Sequence, residues 1–262
     1  MGVANVNGTS LYYEAHGAGR ALVFLHGWGT SGRVWDAQAA DLSRDHHVIT
    51  VDWRGCGRSE RAATGYTIAD VTHDTLGFLD ALELKAPVLI GSSIAGAFVL
   101  EAALAAPRRI GAVIPVDAGV HHFSAGMREA MAGLLADLRA DRAGTLADLV
   151  PHWYRPGGRQ SRDRPDGATA PGLHLPDRPP RGRPGGLRPP PPPGRAPGAR
   201  PLPPRRAGHR GPPQGAPGVR GAHPGAGLTV IEGAGHMSQQ DQPERFNTAL
   251  RAALASMPER AA

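Results

Sequence analysis

The segment Pro87–Gly96 (PVLIGSSIAG) constrains the fold of this 262-residue chain more than any other. Its apolar run narrows to small residues around Ser93, and apolar residues then recur at helical spacing, which predicts a strand, a sharp turn and a helix. So tight a turn forces strained backbone angles on its central residue, and Gly91 and Ala95 on either side are small enough to permit it. The sequence therefore predicts an exposed Ser93 hydroxyl. The alternative is a pair of serines that caps an ordinary helix.

A nucleophilic serine needs a base, because its hydroxyl is weakly nucleophilic at neutral pH. Among twelve histidines, His236 has the most suitable setting. It follows a strand-like run, Leu228–Ile231, and a glycine turn, Gly233–Gly235. In a parallel sheet His236 would then lie at the same edge as Ser93. Residues 241–244 (DQPE) carry the start signals of a further helix.

Two backbone N–H groups are candidates for binding a developing oxyanion. The Ile94 N–H lies at the start of the helix that follows Ser93, where unpaired donors and the positive end of the helix dipole meet. A second apolar run, Ala21–Leu25, ends in the glycine-rich turn 26–29 (HGWG), in which the Trp28 N–H is the natural donor.

Four motifs in order resemble those of the α/β-hydrolase family. They are His-Gly-Trp-Gly at 26–29, Asp-Trp-Arg-Gly-Cys-Gly-Arg-Ser at 52–59, the serine turn at 91–95 and Gly-Ala-Gly-His at 233–236. Each is weak alone, but their order and spacing argue against a chance match. The resemblance covers residues 9–118 and 228–254, and it implies an α/β fold with a mostly parallel sheet flanked by helices and a small helical lid.

The resemblance also implies roles for individual residues. Ser93 would be the nucleophile, His236 the general base and then acid, and the backbone of Trp28 and Ile94 the oxyanion hole. The implied activity is that of a serine esterase, a hydrolase that acts through an acyl-enzyme. Acyl transfer, perhydrolysis and lyase chemistry use the same residues and stay open.

The acid of the triad is less securely assigned. Family members usually carry it after the strand that precedes the histidine strand, and some carry it one strand earlier. Asp117, at the end of the strand-like run 111–116, fits the second position and is the candidate for catalysis. Asp166 and Asp177 fall nearer the usual interval but follow no convincing strand. His26 and Asp52 are expected to shape loops.

Residues 156–227 differ sharply in composition from the rest. They hold 20 of the 26 prolines, 16 of the 36 glycines and 13 arginines, with a net charge of +10 against −4 for the remainder. Because the segment has no aromatic, Ile or Met residue, it cannot bury enough apolar surface to order itself, which predicts disorder with local polyproline II structure. One explanation is out-of-frame reading of a GC-rich gene that replaced a late strand-helix unit. The other is a basic tail that binds nucleic acid or proline-recognising domains, which the lack of interleaved aromatic residues disfavours.

The predicted organisation is therefore a first core part at 1–118, a helical lid at 119–155, the low-complexity segment at 156–227 and a last strand and helix at 228–262. The lid carries apolar residues at helical spacing, which favour a small hydrophobic ester or lactone as substrate; they are Met127, Met131, Leu134, Leu135 and Leu138. Strands are predicted near 9–14, 21–26, 47–52, 87–91, 110–117 and 228–232. Helices are predicted near 32–43, 68–83, 94–106, 126–139 and 243–255.

Other features narrow the function. No run reaches the length of a membrane span and the start lacks the pattern of a signal peptide, so we expect a cytoplasmic protein without a membrane partner. Cys56 is the single cysteine, which excludes an intrachain disulfide. No spacing indicates a metal or organic cofactor. The competing hypotheses are a catalytically impaired member of the family and a binding role of the basic segment.

Overall fold

The computed structural model describes residues 1–118, 125–155 and 226–257. In the second of these ranges, side chains are described from residue 129 onward. Its elements belong to one compact unit. Six strands form one sheet in the order β1-β2-β4-β3-β5-β6. They are β1 Gly2–Val6, β2 Thr9–His16, β3 Ala21–Leu25, β4 His47–Val51, β5 Val88–Ser92 and β6 Ala112–Val116.

Strands β3 to β6 are parallel, and β1 and β2 add an antiparallel hairpin at one side. All five residues of β3 and all five of β5 are buried, as expected for strands covered on both faces. The carboxyl ends of the parallel strands therefore open onto one edge of the sheet, where the loops after β3, β5 and β6 meet.

Helices cover both faces of the sheet. They are α1 Asp36–Leu42, α2 Ile68–Ala81, α3 Ala95–Ala105, α4 Ala125–Ala140, α5 Arg142–Leu149, α6 Ser238–Asp241 and α7 Pro243–Ser256, with 3₁₀ helices at Gly32–Trp35 and Val150–Trp153. Apolar residues of α2 and α3 form one buried cluster with the sheet, and those of α1 and α7 form another. The predicted fold class is thus confirmed. Within the described residues, no helix is both long and apolar enough to cross a membrane.

The predicted elements agree with the structure except in the following respects. Strand β1 and helices α5 and α6 were not predicted, and the helix predicted at 32–43 divides into a 3₁₀ helix and α1. The strand predicted at 228–232 is wrong. Residues 229–231 are irregular, and Val230 is 57% exposed. A strand needs backbone hydrogen-bond partners, and residues 229–231 pair with none of the described strands.

Part of the predicted organisation lies outside the described residues. This holds for Asp166 and Asp177, for residues 119–124 of the predicted lid and for the low-complexity segment up to residue 225. Within the predicted lid, α4 covers the predicted helix. Leu134 and Leu138 are half-buried on it, whereas Met131 and Leu135 are exposed.

Candidate active site

Ser93 follows β5 in the strained turn that the sequence predicted. Its φ is +54°, a left-handed conformation that serine seldom adopts. The Ser93 N–H donates to the Val116 carbonyl at 2.9 Å, which ties the turn to the end of β6. A Cβ on Gly91 would lie 2.3 Å from the Ala95 carbonyl oxygen, so only glycine allows β5 and α3 to approach this closely.

His236 reaches Ser93 from a distant part of the chain. Its Nε2 lies 3.1 Å from the Ser93 Oγ, within hydrogen-bond distance. Both side chains are accessible at the sheet edge, since Ser93 is half-exposed and His236 is exposed. The two residues that the sequence singled out therefore meet, even though the strand predicted before His236 is absent. A loop from Gly233 to Met237 carries the imidazole in place of that strand.

Asp117, the candidate acid, contacts the same loop at a different residue. It directly follows β6 with a φ of +47°, and its Oδ2 accepts hydrogen bonds from the Ser238 hydroxyl at 2.6 Å and the Ser238 N–H at 3.2 Å. Among the described residues, no carboxylate bonds to the His236 imidazole. The structure thus brings Asp117 to the histidine loop, two residues from the base.

The candidate oxyanion donors flank the serine. Ile94 immediately precedes α3, so its N–H lies at the amino terminus of an 11-residue helix. Gly27, next to Trp28, runs against the serine turn, because a Cβ on Gly27 would lie 3.2 Å from the Ser93 Cβ. Within the described part of the chain, neither the Trp28 N–H nor the Ile94 N–H donates a hydrogen bond.

The loop after β3 is held in place by buried polar groups. Asp52 accepts from the Gly32 N–H at 2.6 Å through Oδ1 and from the Arg58 N–H at 2.8 Å through Oδ2, so it joins the loops after β3 and β4. His26 is fully buried beneath this loop, and burial lowers its pKa to about 4. Its ring stacks on Trp53, whose indole N–H donates to the His26 carbonyl at 3.0 Å.

Two residues that contact the candidate site escaped the sequence analysis. Asp241 was interpreted as a helix cap, yet its carboxylate accepts the N–H of Gly235, the residue before His236, at 2.7 Å. Trp153, within the predicted lid, makes an edge-to-face contact with Trp28 at 6.4 Å between ring centroids. The one available signal for Asp241 was its position five residues after the candidate base.

Comparison with known families decides the identity of the fold. The model of the alpha/beta hydrolase fold family matches residues 20–171, more than half of the chain. The chain belongs to the alpha/beta hydrolase fold family.

Known relatives of this α/β-hydrolase differ in their reactions. It is 37% identical over 108 residues to a pimeloyl-[acyl-carrier protein] methyl ester esterase of Aliivibrio fischeri, covering 41% of this chain and 40% of the relative. It is 36% identical over 120 residues to a non-heme chloroperoxidase of Streptomyces lividans, covering 44% of each. The chain therefore spans about two fifths of the length of these curated relatives.

A solved structure gives a longer match. The α/β-hydrolase is similar to Est816, described as an N-acyl homoserine lactone degrading enzyme, with a TM-score of 0.54 and 31% identity. The similarity covers 63% of this chain and 61% of that one. In the described residues of this α/β-hydrolase, no group of three or more His, Cys, Asp or Glu side chains could hold a metal ion.

Proposed function

We propose that this chain is a serine-dependent hydrolase of a small hydrophobic carboxylic ester or lactone that acts through an acyl-enzyme. The observation that carries the proposal is the 3.1 Å contact between the Ser93 Oγ and the His236 Nε2. A nucleophile in a strained turn, with a base in hydrogen-bond reach and a helix N-terminus behind it, is the arrangement that acyl transfer requires.

In the first half-reaction, neutral His236 takes the hydroxyl proton of Ser93 on Nε2 while the Oγ attacks the carbonyl carbon. The carbonyl oxygen becomes an oxyanion, which the Trp28 and Ile94 N–H groups stabilise. The bond from carbon to the leaving oxygen then breaks, and His236 returns the proton to that oxygen. The products are an alcohol and a Ser93 ester; from a lactone, the alcohol stays attached to the acyl group.

In the second half-reaction, water replaces the alcohol. His236 removes one proton from water, and the hydroxide attacks the acyl carbon of the Ser93 ester. The same two N–H groups hold the second oxyanion. When the tetrahedral intermediate collapses, His236 protonates the Ser93 Oγ, which restores the enzyme and releases the carboxylic acid.

Two aromatic rings near the candidate site favour a substrate with an apolar acyl group. Trp28 lies in the candidate oxyanion loop and is 39% exposed. The Trp153 ring packs edge-on against the Trp28 ring. Such rings offer apolar surface to a ligand without a charge. The relatives agree with this class, since one is a methyl ester esterase and one is described as degrading an acyl lactone.

Asp117 is proposed as the acid of this triad. In the geometry at hand, its carboxylate would act on the imidazolium through its charge and by holding Ser238, because its hydrogen bonds go to Ser238.

The same geometry favours one competing function, a catalytically impaired relative. A histidine that donates no hydrogen bond to a carboxylate lacks one of the contacts that fix its tautomer and orientation.

Burst kinetics with p-nitrophenyl butyrate tests the proposal. The wild-type chain should release about one equivalent of p-nitrophenol in a fast phase, and a fluorophosphonate should label the peptide that contains Ser93. Ser93→Ala should abolish the burst and lower turnover on the order of 10⁴-fold or more. Ser92→Ala is the matched control, because Ser92 is the neighbouring serine and its hydroxyl is buried. A wild-type chain without burst and without labelling would support the impaired relative instead.

A further inference from the structure

The His236 loop is fixed through its backbone. The imidazole contacts Ser93, while the residues beside it bond elsewhere: the Gly235 N–H to Asp241, and the Met237 N–H to the Trp153 carbonyl at 3.1 Å. The direction in which His236 points is therefore set by what its neighbours bond to.

One carboxylate oxygen joins two separate segments. The Asp241 Oδ2 accepts the Gly235 N–H at 2.7 Å and the Arg155 N–H at 3.0 Å. Arg155 directly follows the 3₁₀ helix and Tyr154, so this oxygen links the histidine loop to the segment Trp153–Arg155. That segment also carries the aromatic ring that faces Trp28.

The burial of Asp241 shows that this link has a cost. Asp241 is 8% exposed, and its Oδ1 is buried with no hydrogen-bond partner among the described residues. Withdrawing a carboxylate from water is unfavourable unless strong hydrogen bonds compensate. Two bonds from backbone N–H groups to one charged oxygen are such a compensation.

The backbones of the histidine loop and the segment Trp153–Arg155 approach each other closely. A Cβ on Gly235 would lie 2.8 Å from the Arg155 nitrogen and 2.8 Å from the Trp153 carbonyl oxygen, so the backbones touch directly. If the shared oxygen were removed, this contact could relax, and the His236 Nε2 would move relative to the Ser93 Oγ.

We propose that Asp241 is a positioning residue, which ties the His236 loop to the segment Trp153–Arg155 and so directs the imidazole toward Ser93. The proposal rests on the proposed function, since it concerns the base of that reaction. Asp241 acts here as a hydrogen-bond acceptor, and its charge is not what orients the loop.

Two substitutions at this position separate acceptor from charge. Asp241→Ala removes both bonds, and kcat for p-nitrophenyl butyrate should fall about 10-fold to 100-fold with KM nearly unchanged, because a small misplacement of the base slows chemistry. Asp241→Asn can place its amide oxygen at the Oδ2 position, so it should recover most of kcat. Equal losses in both variants would overturn the assignment. Glu244→Gln, an exposed carboxylate on the first turn of α7, is the control and should behave as wild type.

A backbone substitution provides a second test if Asp241→Ala fails to fold. Arg155→Pro deletes one of the two N–H donors, and the preceding Tyr154 already has the extended backbone that proline requires (φ −106°, ψ 155°). Arg155→Ala keeps the N–H and is the reference. We expect a severalfold lower kcat for Arg155→Pro than for Arg155→Ala, and equal values would overturn the proposal.

Hydrogen–deuterium exchange keeps this result separate from the fate of the proposed function. In Asp241→Ala, peptides that contain Gly235 and Arg155 should exchange faster, and those from β3 should not change. Unaltered exchange at both positions would overturn the link even in an active enzyme. Faster exchange with unaltered kcat would overturn the positioning role. Absence of both the wild-type burst and the fluorophosphonate labelling of Ser93 would overturn the proposed function, whatever the exchange shows.

Discussion

The Ser238 hydroxyl donates a 2.6 Å hydrogen bond to the Asp117 carboxylate. Asp117 lies at the carboxyl end of β6, and Ser238 begins the helix directly after the His236 loop. This bond joins the two halves of the candidate site across 121 positions of sequence.

Asp117→Asn should lower kcat by about 10-fold to 100-fold. The loss should stay well below the roughly 10⁴-fold effect seen where the acid bonds directly to the histidine, because here the carboxylate bonds to Ser238. Ser238→Ala should lose less, since it leaves the charge in place. Steady-state kinetics on p-nitrophenyl butyrate measures both. If Asp117→Asn stays within twofold of wild type, Asp117 is not the acid.

His26 should make the fold sensitive to acid. Burial lowers its pKa from 6.5 to about 4, so the folded protein resists a proton that the unfolded chain accepts. The stability that depends on neutral His26 is fully present above pH 6.5 and is lost as pH falls toward 4. The pKa difference corresponds to at most about 3 kcal/mol.

Urea unfolding at pH 7.5, 6 and 5 measures this effect. His26→Asn should reduce the dependence of the unfolding free energy on pH over that range. His73→Asn, an exposed histidine on α2, should keep it. An unchanged slope in His26→Asn would show that His26 is not the group that titrates.

Local signals in the sequence were sufficient for the sheet core and for the serine turn. Ser93 and His236 meet as predicted, but the strand at 228–232 from which their meeting was argued is absent. Buried parallel strands are continuous apolar runs, and the strained turn leaves its trace in Gly91 and Ala95. The alternation in β1 was too short to detect. The failed strand at 228–232 has an apolar pattern, but a strand also needs a neighbour, and that property depends on the rest of the chain.

The contacts that orient the site were beyond sequence reasoning for a related reason. Asp241 has a helix-cap pattern, and nothing local indicates that its carboxylate turns back to Gly235 and across to Arg155. Asp117 and Ser238 are likewise paired by the fold alone. Pairings between remote polar groups depend on loop geometry, which a single sequence does not encode as a pattern.

Gly91→Ala should destabilise the fold and abolish the burst. The added Cβ would lie 2.3 Å from a backbone oxygen of α3, which cannot move aside without shifting the serine turn. We expect the free energy of unfolding to fall by about 1–3 kcal/mol. Gly133→Ala is the matched control, because Gly133 is in α4 with open space around its Cβ position, so the same change should stabilise α4 by up to about 1 kcal/mol. Thermal unfolding compares the two, and equal effects would contradict the steric argument.

Trp153→Ala should change which esters are hydrolysed. Its ring packs edge-on against the partly exposed Trp28, so we expect both rings to border the acyl group. Removing one should lower kcat/KM for p-nitrophenyl hexanoate several times more than for the acetate, because the longer chain loses more apolar contact. The Trp153 carbonyl that holds Met237 is kept, so kcat for the acetate should change little. Leu135→Ala, on the exposed side of α4, is the control. A uniform loss across chain lengths would place Trp153 in the support of the loop instead of the substrate pocket.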